Sequence, residues 1–183
     1  MELHTTTVAT PVGPFTLLVG GGGVCAAGFT ERPETLQRRL DPRRRAAQLR
    51  PAADPDAVAG RMLAYLGGET EALDDVQVTQ PGDPSQQAAW EALRSVPAGR
   101  TLSYKQLGGL AGLADPATDP LGAQAAGAAC ATNHVAVIVP CHRVLRADGR
   151  LGGYGWGTHR KSWLLDHEAA LAGASLLGGT GRS

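Results

Sequence analysis

Neither an excess of one charge nor a long apolar run marks this 183-residue chain, in which 17 Lys and Arg balance 17 Asp and Glu. Without a global polycation, net charge gives no argument for a nucleic-acid partner. No stretch approaches the roughly 20 apolar residues of a membrane span, and the N-terminus lacks a signal-peptide core, so a membrane partner is not expected. Cysteine is scarce and odd in number, at Cys25, Cys130 and Cys141. That count and spacing do not make a disulfide framework, and the expectation is a soluble protein of the reducing cytoplasm. Cys25 and His4 alone make a poor metal site, so no metal is expected. The glycine run Gly20–Gly23 lacks the Lys-Ser/Thr ending of a phosphate loop and reads as a turn.

What is present is uneven. Residues 94–161 hold eight basic side chains (Arg94, Arg100, Lys105, Arg143, Arg146, Arg150, Arg160 and Lys161) against Asp115, Asp119 and Asp148, which leaves a matching excess of acid elsewhere. This half carries a modest phosphate-attracting field, although charge alone fits a solvated face as well.

The length suits one large domain or two small ones. Thr6–Ala9 and Phe15–Val19 read as a hairpin and Val24–Phe29 as a third strand. Pro33–Leu40 reads as helix and Arg43-Arg44-Arg45 as a solvated face, with a DNA arm as the other reading. In residues 56–66, Val58, Met62, Leu63 and Leu66 recur at helical spacing, and Gly67-Gly68 stops the run. Residues 73–82 form a linker. From Pro84 the pattern is helical, with Ala88, Ala89, Trp90 and Leu93 inward. Ser103 and Gln106 make a capping box for a helix whose stripe is Leu107, Leu110 and Ala111. Asp119-Pro120 caps the next helix, which runs to Ala131 and is almost all Ala and Gly outside Gln124 and Cys130. Two short helices in sequence, the second with side chains small enough for close approach, make a helix-turn-helix.

Val135–Val139 is an apolar, β-branched run that reads as a buried strand leading into Pro140-Cys141-His142-Arg143-Val144. A cysteine pinned by proline and followed by histidine suits nucleophilic chemistry, because imidazole can take the thiol proton directly or through a water. A buried core cysteine is the competing reading.

The surroundings of the pentapeptide decide between them. Downstream lie residues 149–154 (Gly-Arg-Leu-Gly-Gly-Tyr), Lys161, Leu164-Leu165 and Glu168; upstream lie residues 103–107 (Ser-Tyr-Lys-Gln-Leu) and Asn133. With these motifs the chain resembles the O6-alkylguanine-DNA alkyltransferase family, strongly over residues 84–170 and weakly over 5–80. The resemblance implies a fold of two domains. An α/β, ribonuclease-H-like domain (1–80) of small antiparallel sheet and packed helix plays a structural role. A mostly α, winged-helix-like domain (84–170) holds the helix-turn-helix, and residues 171–183 are a flexible tail. It implies direct-reversal repair, with one alkyl group moved from O6-alkylguanine, or O4-alkylthymine, to Cys141 per molecule. The partner is double-stranded DNA with the damaged base flipped out, and a cofactor-free monomer is expected. A flipped base is needed because a thiol cannot reach O6 inside the duplex.

Residue roles follow from the same resemblance. Glu168 orients His142, which takes the Cys141 proton through a water. Asn133 braces the turn, and Lys161 helps neutralise the leaving guanine. Carbonyls of Cys141 and Val144, with Tyr154 and Gly155, hold the base, and Cys130 packs behind the pocket. Tyr104 crowds a phosphate, the second helix (Gln124, Ala125, Gly127) enters the minor groove, and Arg143 belongs to the DNA-facing set. The chain departs from the family pattern in four places. Gln124 stands where the family has an arginine finger, and the turn at Leu113–Thr118 is about six residues longer than usual. His134 replaces the proline after Asn133, and a Phe near Ser85 is missing. Gln124 and the long turn leave open a thiol-bearing paralogue that scavenges small alkyl donors. A lesion-binding sensor fits less well, because such relatives lack the nucleophile that Cys141 supplies; a cysteine hydrolase lacks an oxyanion-hole motif.

Overall fold

The computed structural model describes residues 1–113 and 121–178, and the chain forms two compact units. The first comprises Met1–Gly82 together with Asn133–Val139, and the second Asp83–Thr132 together with the chain from Pro140 onward. The segment 133–139, which the 84–170 boundary assigns to the C-terminal domain, therefore packs with the first unit.

In the first unit, β1 (Glu2–Thr10) and β2 (Gly13–Val19) form the expected hairpin, closed at Thr10↔Gly13, and β3 (Val24–Gly28) pairs antiparallel with β2. Helices α1 (Pro33–Gln37) and α2 (Pro42–Arg45) lead to β4 (Gln48–Pro51), which pairs parallel with β1. The sheet, in the order β3-β2-β1-β4, is thus mixed rather than antiparallel. β4 gave little sequence signal: it is four residues long, has Leu49 as its one large apolar side chain and ends in proline, all habits of an edge strand. β3 and the apolar end of β2 are buried on both faces, whereas β1 buries only Leu3, Thr5 and Val8. Helix α3 (Val58–Leu66) buries Val58, Met62 and Tyr65; Leu63, expected on that stripe, is half exposed.

The free edge of β3 is covered by two stretches of chain. Val24 N–H donates to Gln77 O (2.8 Å) and Ala27 N–H to His134 O (2.8 Å), while Ala136 N–H returns to Ala27 O (2.9 Å). Past this single bridge the apolar run does not continue as a strand. It turns, with Val139 N–H donating to Val135 O (2.9 Å) and Val137 at φ 68°. A β-branched residue in the left-handed region is strained, by about 1–3 kcal/mol. Asn133 holds the turn from inside: its Nδ2 donates to Val139 O (2.9 Å) and its Oδ1 accepts Val135 N–H (3.0 Å). An unbroken apolar sequence disguised this turn, because every residue of it is buried.

In the second unit, α4 (Pro84–Arg94) starts on an Asp83/Gln86 capping box, and Trp90 Nε1–H donates to Ala129 O (2.8 Å). β5 (Leu102–Ser103) leads into α5 (Tyr104–Leu110), whose Ser103/Gln106 capping box is the expected one. Leu107 is buried, but Leu110 lies outward at 57 % exposure. α6 (Leu121–Ala131) packs on α5. The Asp119-Pro120 cap and the turn from residue 114 lie outside the described residues. β6 (Val144–Leu145) pairs parallel with β5, and α7 (Thr158–Gly178) carries helix through residues 171–178, where a flexible tail is expected.

The two helices approach closely at Gly108. A Cβ there would lie 2.6 Å from Gly122 O and 2.7 Å from its carbonyl carbon, both backbone atoms. Gly108→Ala gains about 1 kcal/mol of helix propensity, yet must part the helices. The steric term should win, lowering stability by about 1–3 kcal/mol in urea denaturation. Unchanged or raised stability would show that the helix pair can separate freely.

Candidate active site

Cys141 opens a single 3-10 turn, Cys141–Arg143, that follows directly on the buried 133–139 turn. The cysteine is half-buried, while the His142 and Arg143 side chains turn inward. α7 supplies the opposite wall. Lys161, Leu164 and Glu168 recur at i, i+3 and i+7, so they share one face, and all three are buried.

Glu168 is the centre of the arrangement. Its carboxylate receives His142 Nε2 (2.9 Å), Arg143 Nη2 (2.8 Å), Arg143 Nε (3.0 and 3.2 Å) and the Gly99 N–H (3.1 Å). Burial pushes the Glu168 pKa up, but hydrogen bonds from His142 and Arg143 and the charge of Arg143 outweigh it and hold the group well below the usual carboxylate range. An ionised carboxylate only accepts, so Nε2 of His142 carries the proton and Nδ1 keeps a lone pair. Nδ1 is buried and receives no hydrogen bond from the described residues. Burial lowers the His142 pKa more than Glu168 raises it, keeping the ring neutral and able to act as a base.

Arg143, expected among the DNA-facing residues, is placed otherwise. Its side chain is buried, it forks onto Glu168, and Nη1 donates to Val96 O (2.5 Å). A guanidinium so engaged is not available to a phosphate. Neither Arg143 as the partner of Glu168 nor the Val96 and Gly99 contacts follow from the sequence; the one available hint was the odds against leaving Glu168 buried without a cation.

Lys161 is fully buried, and its ammonium donates to the carbonyls of Val144 (2.6 Å), Leu151 and Gly153 (3.4 Å). It thereby ties β6 to the 149–155 loop. Burial lowers its pKa; the thiols of Cys141 and Cys130 oppose that shift, so its charge lies within electrostatic reach of both. Tyr104, the first residue of α5, is half-buried. A Cβ at Gly152 would lie 3.6 Å from its hydroxyl and one at Gly127 would lie 3.8 Å from its ring, so both glycines leave it room. Its pKa is raised by burial first, then by Cys130 and Cys141. Tyr154 and Gly155 sit on the same loop as Gly152 and Gly153, while Gln124 is exposed on α6, and Ala125 and Gly127 are half-buried.

The other thiols are poor nucleophiles. Cys25 donates to Leu18 O (3.3 Å), and burial pushes its pKa to about 11. Burial, then Cys141, pushes Cys130 up as well. No group of three or more His, Cys, Asp or Glu among the described residues could hold a metal.

The Mycobacterium bovis methylated-DNA–protein-cysteine methyltransferase is 37% identical over 177 residues, covering 95% of this chain and 97% of that protein. The chain belongs to this methyltransferase family. The namesake from Shigella flexneri is 32% identical over 90% of the chain and 94% of its own length. Residues 84–170 match the family model described as 6-O-methylguanine DNA methyltransferase, DNA binding domain. Among solved structures, Mycobacterium tuberculosis OGT in complex with DNA superposes with a TM-score of 0.73 at 36% identity, covering 92% of this chain and 94% of that one. The Pyrococcus kodakaraensis O6-methylguanine-DNA methyltransferase, at 24% identity and TM-score 0.66, shares the fold.

Acid should weaken this protein through the buried His142–Glu168 pair. Unfolded histidine binds a proton below about pH 6.5 and unfolded glutamate below about 4.3, whereas buried His142 and Glu168 resist protonation. Both folded pKa values are depressed, so the stability they contribute is present above those unfolded values and is lost as pH falls through the folded ones. Denaturant midpoints should therefore drop between pH 7.5 and 5 and drop again below pH 4. A flat profile over that range would contradict the assigned protonation states.

Proposed function

We propose that this chain performs direct-reversal DNA repair, taking an alkyl group from O6-alkylguanine in duplex DNA onto Cys141. The observation that supports it most is the buried Glu168–His142 pair beside the cysteine. Glu168 fixes the tautomer, His142 Nδ1 takes the thiol proton through a water, and the thiolate attacks the alkyl carbon. The S–C bond forms as the C–O6 bond breaks. Its electron pair leaves with the guanine, and the proton lost by the thiol balances the charge.

Lys161 spends its hydrogen bonds on carbonyls, so its help to the leaving guanine is electrostatic and its second task is to position the loop. Val144 O retains a lone pair beyond the one Lys161 uses, which suits an acceptor for a base amino group. Tyr154 and Gly155 complete the pocket, Asn133 keeps the turn before Cys141 in shape, and Tyr104 crowds the backbone of the flipped nucleotide. Gln124, Ala125 and Gly127 present α6 to the minor groove. A thioether is a stable product, so each molecule acts once. The finer architecture fits a ribonuclease-H-like first unit and a winged-helix-like second unit, acting as a cytoplasmic monomer. O4-alkylthymine is a second candidate substrate.

Incubation with an O6-methylguanine duplex should add about 14 Da, one CH₂, to the Cys141 peptide and nothing to Cys141→Ser. An adduct on Cys25 or Cys130 would overturn the assignment.

Gln124 is exposed and uncharged, which favours a second reading in which base extrusion is weak and small alkyl donors are the better substrates. Unstacking costs a few kcal/mol on duplex DNA and nothing on a free base. Gln124→Arg is expected to speed transfer from duplex while leaving transfer from free O6-benzylguanine nearly unchanged. If wild type already prefers duplex by a wide margin, glutamine is an adequate finger and the scavenging reading falls.

A further inference from the structure

The first unit segregates its charge. Seven of its eight basic residues, all arginines, fall between residues 32 and 50, and seven of its ten acidic residues fall outside 31–50. Packing then sorts these arginines by direction. Leu36 and Leu40 sink into the core at i and i+4, which leaves Arg38 and Arg39 outward. Arg44 is the inward one: it donates to Thr79 O (2.7 Å) and pairs with Asp41 (3.7 Å). Arg43 and Arg45 remain exposed, although Arg45 leans back on Leu40 O (3.0 Å). The run Arg43-Arg44-Arg45 is therefore not a uniform arm, and Arg43 and Arg45 are exposed, as are Arg38 and Arg39.

The carboxylate within this run is already engaged. Asp41 is the single acidic residue in 35–53, and it caps α2 by accepting the Arg43 and Arg44 N–H groups (3.0 and 3.1 Å). Like charges gathered on one surface repel each other, and guanidinium forks match phosphate oxygens.

We propose that Arg38, Arg39, Arg43 and Arg45 form a second contact for the DNA phosphate backbone, additional to α6. This rests on the repair reading above. Within the same unit Arg39 lowers the pKa of His134, second to burial. The contact carries no sequence preference. Its use is to raise the dwell time on undamaged duplex during the search for a lesion.

The test is the salt dependence of binding to an undamaged duplex by the full chain. Each phosphate contact adds about 0.9 to the slope of log K against log salt, so Arg38→Gln/Arg39→Gln/Arg43→Gln should reduce the slope by about 2 to 3. Affinity at low salt should fall about tenfold or more. The matching triple lysine variant keeps the charge and should keep the slope, and both should melt at the wild-type temperature. A glutamine triple with the wild-type slope overturns the proposal, as does a lysine triple that loses binding equally. If the glutamine triple instead changes self-association in sedimentation without DNA, at unchanged slope, the face is a contact between copies and the proposal is wrong. Wild type that binds no duplex at all would overturn both this and the repair reading; wild type that binds, with an unaltered slope in the variant, removes this one alone.

Discussion

A carboxylate with no exposure to water needs partners on every side, and the second unit is organised around giving Glu168 those partners. Taking an ion out of water costs several kcal/mol after relaxation, and the cost is met only by good geometry and full hydrogen bonding. Here α7 brings the carboxylate, the 3-10 turn brings Arg143 and His142, and the loop after α4 brings the Gly99 amide and the Val96 carbonyl. One buried ion thus fixes three chain segments together. The same bond that holds the fold sets the histidine tautomer, so structural and chemical demands fall on a single oxygen pair.

Lys161 has the complementary task, two helical turns earlier on α7. An ammonium bound by three carbonyls joins β6 to the following loop and leaves positive charge near the thiol. Helix geometry explains why both ions come from α7. A spacing of seven residues returns a side chain to the same face, and Leu164 fills the gap between them with apolar packing.

The fold is legible in the sequence where local chemistry is strong. Capping at Ser103, the β1–β2 hairpin and the helix from Pro84 depend on neighbours within a few residues, and they stand as expected. The Glu168–His142 pairing came only through the family resemblance, since nothing local distinguishes that glutamate from a solvated one. Failures came where distant contacts override local pattern. Residues 135–139 have the composition of a strand, but Asn133 ties both ends and forces Val137 to a positive φ. Arg143 reads as surface charge until Glu168 claims it. β4 has almost no apolar content and forms because β1 offers a free edge.

The stretch 133–139 also has a consequence for how the molecule can be divided. It belongs by its contacts to the first unit, yet it lies in the chain between α6 and the cysteine turn of the second. The backbone therefore passes from one unit to the other at three points rather than one. A fragment beginning at Asp83 would carry Val135, Ala136, Val137, Ile138 and Val139 with no β3 to receive them. Such a fragment would expose a wholly apolar pentapeptide separated by one residue from Cys141. The residues that lead into the Cys141 turn are in that sense core residues of the first unit, and the second unit cannot be cut free without stranding them.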